Sequence, residues 1–102
     1  MPLLRGNIFG YDAARMTFEF MMLTSDAKTV ACSISGAALD YLAGKKGADL
    51  KAREAQFQRF RVTIERLASD LFDDGTVPVR IFAKHVESRK PHKSATIILR
   101  DE

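Results

Sequence analysis

The 102-residue chain carries 16 Lys and Arg against 13 Asp and Glu, a formal charge of +3, and 46% of its residues are hydrophobic. That length fits a single domain, residues 1–102, able to bury a core without metal or disulfide staples, and the composition excludes the disordered and transmembrane classes. A net charge this small does not announce a dedicated nucleic-acid binder, although residues 75–102 hold six basic side chains against three acidic ones.

Residues 1–6 show no basic region leading into an apolar core, so no signal peptide is expected and the reading is a cytoplasmic protein without membrane contact. Residues 11–15 read as a turn. Met16, Phe18, Phe20 and Met22 then alternate with Thr17 and Glu19, the period-two pattern of a half-buried strand. After turn chemistry over residues 24–27, Val30, Cys32 and Ile34 alternate with Thr29, Ala31 and Ser33, which predicts a β-hairpin. Cys32 is the only cysteine, so an internal disulfide is excluded; with no base beside it, a buried thiol is expected.

Ser35 stands at an N-cap position before a short helix, and Gly44 at its stop. Residues 45–48 form a connector, and Asp49 can cap the next helix. Over residues 50–72, Phe57, Phe60, Ile64, Leu67, Ala68 and Leu71 recur at three- and four-residue steps, one stripe on a long amphipathic helix that ends at residues 73–75. Beyond Pro78, Val79, Ile81 and Ala83 alternate with Arg80, Phe82 and Lys84. After a polar loop near residues 87–93, Ala95, Ile97 and Leu99 repeat the pattern, so a second hairpin is predicted. The fold class is therefore α+β: an antiparallel sheet of two hairpins in ββααββ order, with a short and a long amphipathic helix packed on one face.

The residues Tyr11-Asp12-Ala13-Ala14-Arg15 precede an aromatic strand, a second strand runs into Ile34-Ser35-Gly36-Ala37-Ala38-Leu39, and the long helix spaces Phe57, Arg61, Ile64 and Ala68 by four, three and four. In these features, over about two thirds of the chain, the sequence resembles the small bacterial proteins of the domain of unknown function 1488 family. The resemblance implies a compact α+β fold, a bacterial cytoplasmic setting and no established activity, and it supplies no catalytic residues. The last 25 or so residues, with their basic hairpin, depart from the family pattern.

No catalytic constellation is present. His85 and His92 fall short of the three or four ligands of a zinc site, Asp70, Asp73 and Asp74 lack calcium-loop spacing, and residues 44–47 lack a phosphate-loop context. No metal, cofactor or enzymatic role is expected. Arg61, at the edge of the helical stripe, is placed to cover apolar surface with its stem while its guanidinium reaches Glu65 or a carbonyl.

Two surfaces have functional colour. Lys84, His85, Arg89, Lys90, His92 and Lys93 form a basic cluster able to meet nucleic acid or another acidic partner, without aromatic residues interleaved for base stacking. Met21, Leu23, Ala31, Phe82 and Ile98 fall on the strand face turned away from the helices, where a sheet open to water should be more polar. A homodimer through this face, or cover by Leu3, Leu4, Ile8 and Phe9, would account for them. The expected function is a non-enzymatic binding domain that self-associates; the alternatives are nucleic-acid binding through the basic hairpin and a small enzyme without a recognisable motif.

Overall fold

The computed structural model of the protein describes residues 3–44 and 49–88. Among these, the chain runs through β1 (Leu4–Asp12), β2 (Thr17–Leu23), β3 (Thr29–Ser35), α1 (Gly36–Ala43), α2 (Leu50–Arg59), α3 (Arg61–Asp73), β4 (Val79–Ile81) and α4 (Ala83–Ser88). The strands form one sheet in the order β1-β2-β3-β4. β1, β2 and β3 pair antiparallel, but β4 lies parallel to β3. The α+β class is as expected, whereas the ββααββ order and the wholly antiparallel sheet are not. The physical reason lies in the connection: β4 is reached after three helices, α1 to α3, and a crossover of that length returns the chain in the same direction, as a tight hairpin cannot.

β1 is hidden in the sequence because its alternation is broken twice. Its register with β2 slips between Arg5 and Ile8 and again between Ile8 and Gly10, so the apolar residues keep no period of two. Gly6 belongs to the first irregularity, where a Cβ would lie 2.5 Å from the Met21 carbonyl oxygen; only glycine lets the strands approach so closely. The N-terminal residues thus extend the sheet at its edge, and do not cover its face: Leu4 is 53% and Phe9 68% exposed. The turn expected over residues 11–15 begins later, since Tyr11 and Asp12 still pair with Phe18 and Thr17. Asp12 Oδ1 then accepts the N–H groups of Ala14 at 3.0 Å and Arg15 at 3.3 Å, the side-chain turn that aspartate favours.

The helix signals of the sequence are realised. Ser35 Oγ accepts from the Ala38 N–H at 3.1 Å and Asp49 Oδ1 from the Ala52 N–H at 2.8 Å. α3 closes with the Gly75 N–H donating to Phe72 O and the Thr76 N–H to Leu71 O, Gly75 taking φ +91°, a Schellman stop. One helix over residues 50–72 is not found, because Phe60 at φ −107°, ψ 17° separates α2 from α3. The inward face of α2 explains why no apolar stripe could be read ahead of Phe57: its buried residues are Arg53, Gln56 and Phe57.

The second hairpin is also corrected. β4 stops at Ile81, and residues 83–88, read as strand end and loop, form α4. Phe82 caps that helix, its backbone N–H donating to His85 Nδ1 at 2.9 Å, the reverse contact of a capping box supplied here by histidine. Val86 of α4 is buried in the core. The expected return strand at residues 95–99 lies outside the described residues.

The core lies on one side of the sheet. Phe18, Phe20 and Met22 of β2, Val30, Cys32 and Ile34 of β3, and Val79 and Ile81 of β4 meet apolar side chains from all four helices in one cluster. Phe57 is its centre, stacked on Phe18 at a centroid distance of 4.3 Å and tilted against Phe20 at 5.0 Å, geometries that add to plain area burial. Burial pushes the Cys32 thiol up to about 12, so the cysteine is a core residue, as its setting in the strand implied.

Candidate functional site

Because side chains alternate along a strand, the parity that sends Phe18, Phe20 and Met22 into the core sends Thr17, Glu19, Met21 and Leu23 to the opposite face. Cross-strand pairing arranges that face in rows. Gly10, Glu19, Ser33 and Arg80 stand side by side across the four strands; Met21 faces Ala31, and Leu23 lies between Leu4 and Thr29. The apolar buried side chains of the helices all join the cluster on the other side, so among the described residues no helix covers this face. Over its charged half lies a groove of about 450 Å³, lined by Arg15, Thr17, Glu19, Ser33, Arg80 and Phe82 among others.

The groove is of mixed charge. Thr17 Oγ1 donates to Glu19 Oε2, holding the carboxylate along its strand, while Arg80 is exposed on the neighbouring edge. Arg15 lies 3.9 Å from Asp12, a weak exposed pair. Phe82 is 43% exposed. Of the residues expected on the open face, Met21 and Leu23 are half-buried in β2, Ala31 is exposed in β3 and Phe82 follows β4; Ile98 lies outside the described residues. Outward parity also selects Glu19, Ser33 and Arg80, which a search for apolar residues alone passes over.

The basic cluster is represented by Lys84 and His85 on α4; Arg89, Lys90, His92 and Lys93 lie outside the described residues. The Nδ1 atom of His85 is engaged as the cap of α4. Among the described residues no group of three or more His, Cys, Asp and Glu side chains is arranged to hold a metal, and no helix is long and apolar enough to cross a membrane.

Two polar networks brace the opposite side. Arg61 fulfils its expected role: its Nε donates to Glu65 at 2.9 Å and its Nη2 to the Gly6 carbonyl at 3.2 Å, within the irregular stretch of β1. Arg5 donates twice to the same carboxylate, both at 2.8 Å. Burial alone would push the Glu65 carboxyl up, but the bonds from Arg5 and Arg61 outweigh it and hold it below the usual carboxylate range. The second network is deeper. Arg53 Nη1 donates to Asp40 at 2.5 Å, to Gln56 at 3.0 Å and to the Gly36 carbonyl at 3.2 Å, and Gln56 Nε2 donates to Asp40 at 3.2 Å. Burial pulls the guanidinium down, yet the hydrogen bond and charge of Asp40 leave it raised. Its Cζ sits 5.3 Å from the Tyr11 ring centre. At Gly36 a Cβ would approach Tyr11 Oη to 2.9 Å and Arg53 Nη2 to 3.0 Å, so the small residue at the start of α1 makes room for this cluster. Both networks tie helices to β1 and offer no reacting centre.

Fold and surface together define a small α+β domain with helices on one face of a mixed four-stranded sheet and a groove lined by both polar and apolar residues on the other. Residues 9–82 match the family described as "Protein of unknown function (DUF1488)", and the chain belongs to that family. The fold is similar to the crystal structure, at 1.60 Å resolution, of a protein of unknown function from the same family from Shewanella loihica PV-4. That likeness has a TM-score of 0.65 at 20% identity and covers 78% of this chain and 89% of that one. No curated protein matches the chain significantly.

Proposed function

We propose that the protein is a non-enzymatic binding domain whose working surface is the open face of the sheet. One observation carries the reading: the helices bury their apolar side chains on the opposite side, leaving a face that combines Met21, Leu23 and Phe82 with a groove of charged and hydroxyl side chains. Apolar residues beside well-placed polar groups on a rigid sheet suit recognition of a protein surface. The charged groups that line the groove among the described residues are the Glu19 carboxylate, which accepts from the Thr17 hydroxyl along its own strand, and the guanidinium groups of Arg15 and Arg80, a set suited to holding the charged groups of a partner. Self-association is the form of binding the face supports best.

The test is light scattering over a concentration series, with Met21→Asp and Phe82→Asp on the open face and Val62→Asp on an exposed position of α3 as control. The expected result is a wild type heavier than one chain, monomeric Met21→Asp and Phe82→Asp, and an unchanged Val62→Asp. Equal monomeric mass for all four, at every concentration and with folded spectra, would reject the reading.

A further inference from the structure

We infer that the open face pairs with a second copy of this chain about a two-fold axis running along β3 over Ser33, so that Glu19 of each copy meets the partner's Arg80. The inference rests on the binding-domain reading above and adds the geometry of contact. Glu19 pairs with Ser33, and Ser33 with Arg80, across adjacent strands, so the carboxylate and the guanidinium stand on either side of Ser33, each one strand spacing away, about 4.8 Å.

Two arrangements place such a face against itself by a two-fold rotation in the plane between the sheets. An axis across the strands would set Glu19 on the partner's Glu19 and Arg80 on the partner's Arg80, juxtapositions that suppress association. An axis along β3 exchanges the two sides of the row, so each charge meets its opposite and the contact occurs twice. Serine at the axis leaves room for two sheets to approach, and a Glu and an Arg reaching from opposite sides suit a separation of about 10 Å between packed sheets. In this arrangement β2 lies over the partner's β4 and its preceding turn. Met21 then faces the region of the partner's Val77 and Pro78, where Val77 is 65% exposed. Phe82, one residue beyond the Ile34–Ile81 pair, closes the other end of the contact, over the partner's Thr17. The apolar groups flank the charged row, and charge complementarity fixes the register.

Charge reversal tests the geometry directly by sedimentation velocity of the whole chain. Glu19→Arg and Arg80→Glu, each alone, should weaken self-association at least about 100-fold, because each creates two like-charge contacts. An equimolar mixture of the two variants should associate as the wild type does, since every contact between unlike variants joins opposite charges. The double variant Glu19→Arg/Arg80→Glu should behave likewise. Single variants that associate like the wild type, or a mixture that stays monomeric, overturn this geometry. If the wild type self-associates and Met21→Asp abolishes it while charge reversal has no effect, the pairing fails and the binding-domain reading stands. A wild type monomeric at all concentrations overturns both.

Discussion

Replacing Arg53 by methionine is the sharpest test of how α2 is held to α1. The side chain is 8% exposed and its Nη1 serves Asp40, Gln56 and the Gly36 carbonyl at once. Methionine keeps much of the stem's volume but leaves the Asp40 carboxylate facing an apolar group. Removing one partner of a buried ion pair costs about 3–5 kcal/mol. The Asp40 side chain remains 15% exposed, and water can reach it, so the lower end of that range, about 3 kcal/mol, is expected. For a domain of this size each kcal/mol moves Tm by about 4–8 °C, a fall of roughly 12–24 °C for Arg53→Met. Urea denaturation and a thermal melt measure it. The double-mutant cycle is more telling: Asp40→Asn destabilises the wild type, but in the Arg53→Met background it should recover at least about 1 kcal/mol, because a neutral amide needs no cation and can still accept from Gln56. An Arg53→Met variant within about 1 kcal/mol of wild type, or an Asp40→Asn effect of equal sign in both backgrounds, would refute the assignment of this network as a brace.

Three further outcomes are expected. Glu65 has a lowered carboxyl pKa, so its contribution to stability is present above the unfolded-state value and is lost as pH falls through the folded one. Glu65→Gln should therefore lower the urea midpoint at pH 7, with the gap to wild type closing as the pH drops well below about 4; a gap constant with pH would contradict the triad with Arg5 and Arg61. Gly6→Ala places a methyl group 2.5 Å from a backbone oxygen of the paired strand and should cost about 1–3 kcal/mol as the edge strand shifts; an unchanged urea midpoint would show that β1 relaxes freely. Cys32, pushed up to about 12 by burial, should react with a thiol reagent only as fast as the protein opens, and rapid labelling of the native chain would be inconsistent with its place in the core.

Much of the inner half of this protein is local and so readable from the chain. The alternation in β2 and β3, the caps at Ser35, Gly44 and Asp49, and the stripe from Phe57 to Leu71 depend on neighbours within a few residues, and physical periodicity exposes them. The contact of Arg61 with Glu65 follows from helical spacing. What escaped depends on distant parts of the chain. β1 exists because Gly6 and Gly10 allow an irregular edge to pair with β2, and two glycines in nine residues imitate a turn. Arg53 and Gln56 are buried because Asp40, in another helix, answers their polarity; without that partner a polar residue reads as surface.

Strand direction and the open face were settled at the same level. Parity placed Met21, Leu23, Ala31 and Phe82 outward, but only the register of β4 against β3 sets Arg80 in one row with Ser33 and Glu19. Which residues can be buried is legible in the chain alone, because hydrophobic burial follows a local period. Tertiary structure alone decided which outward residues become neighbours, because hydrogen bonding between segments far apart in the chain brings them side by side.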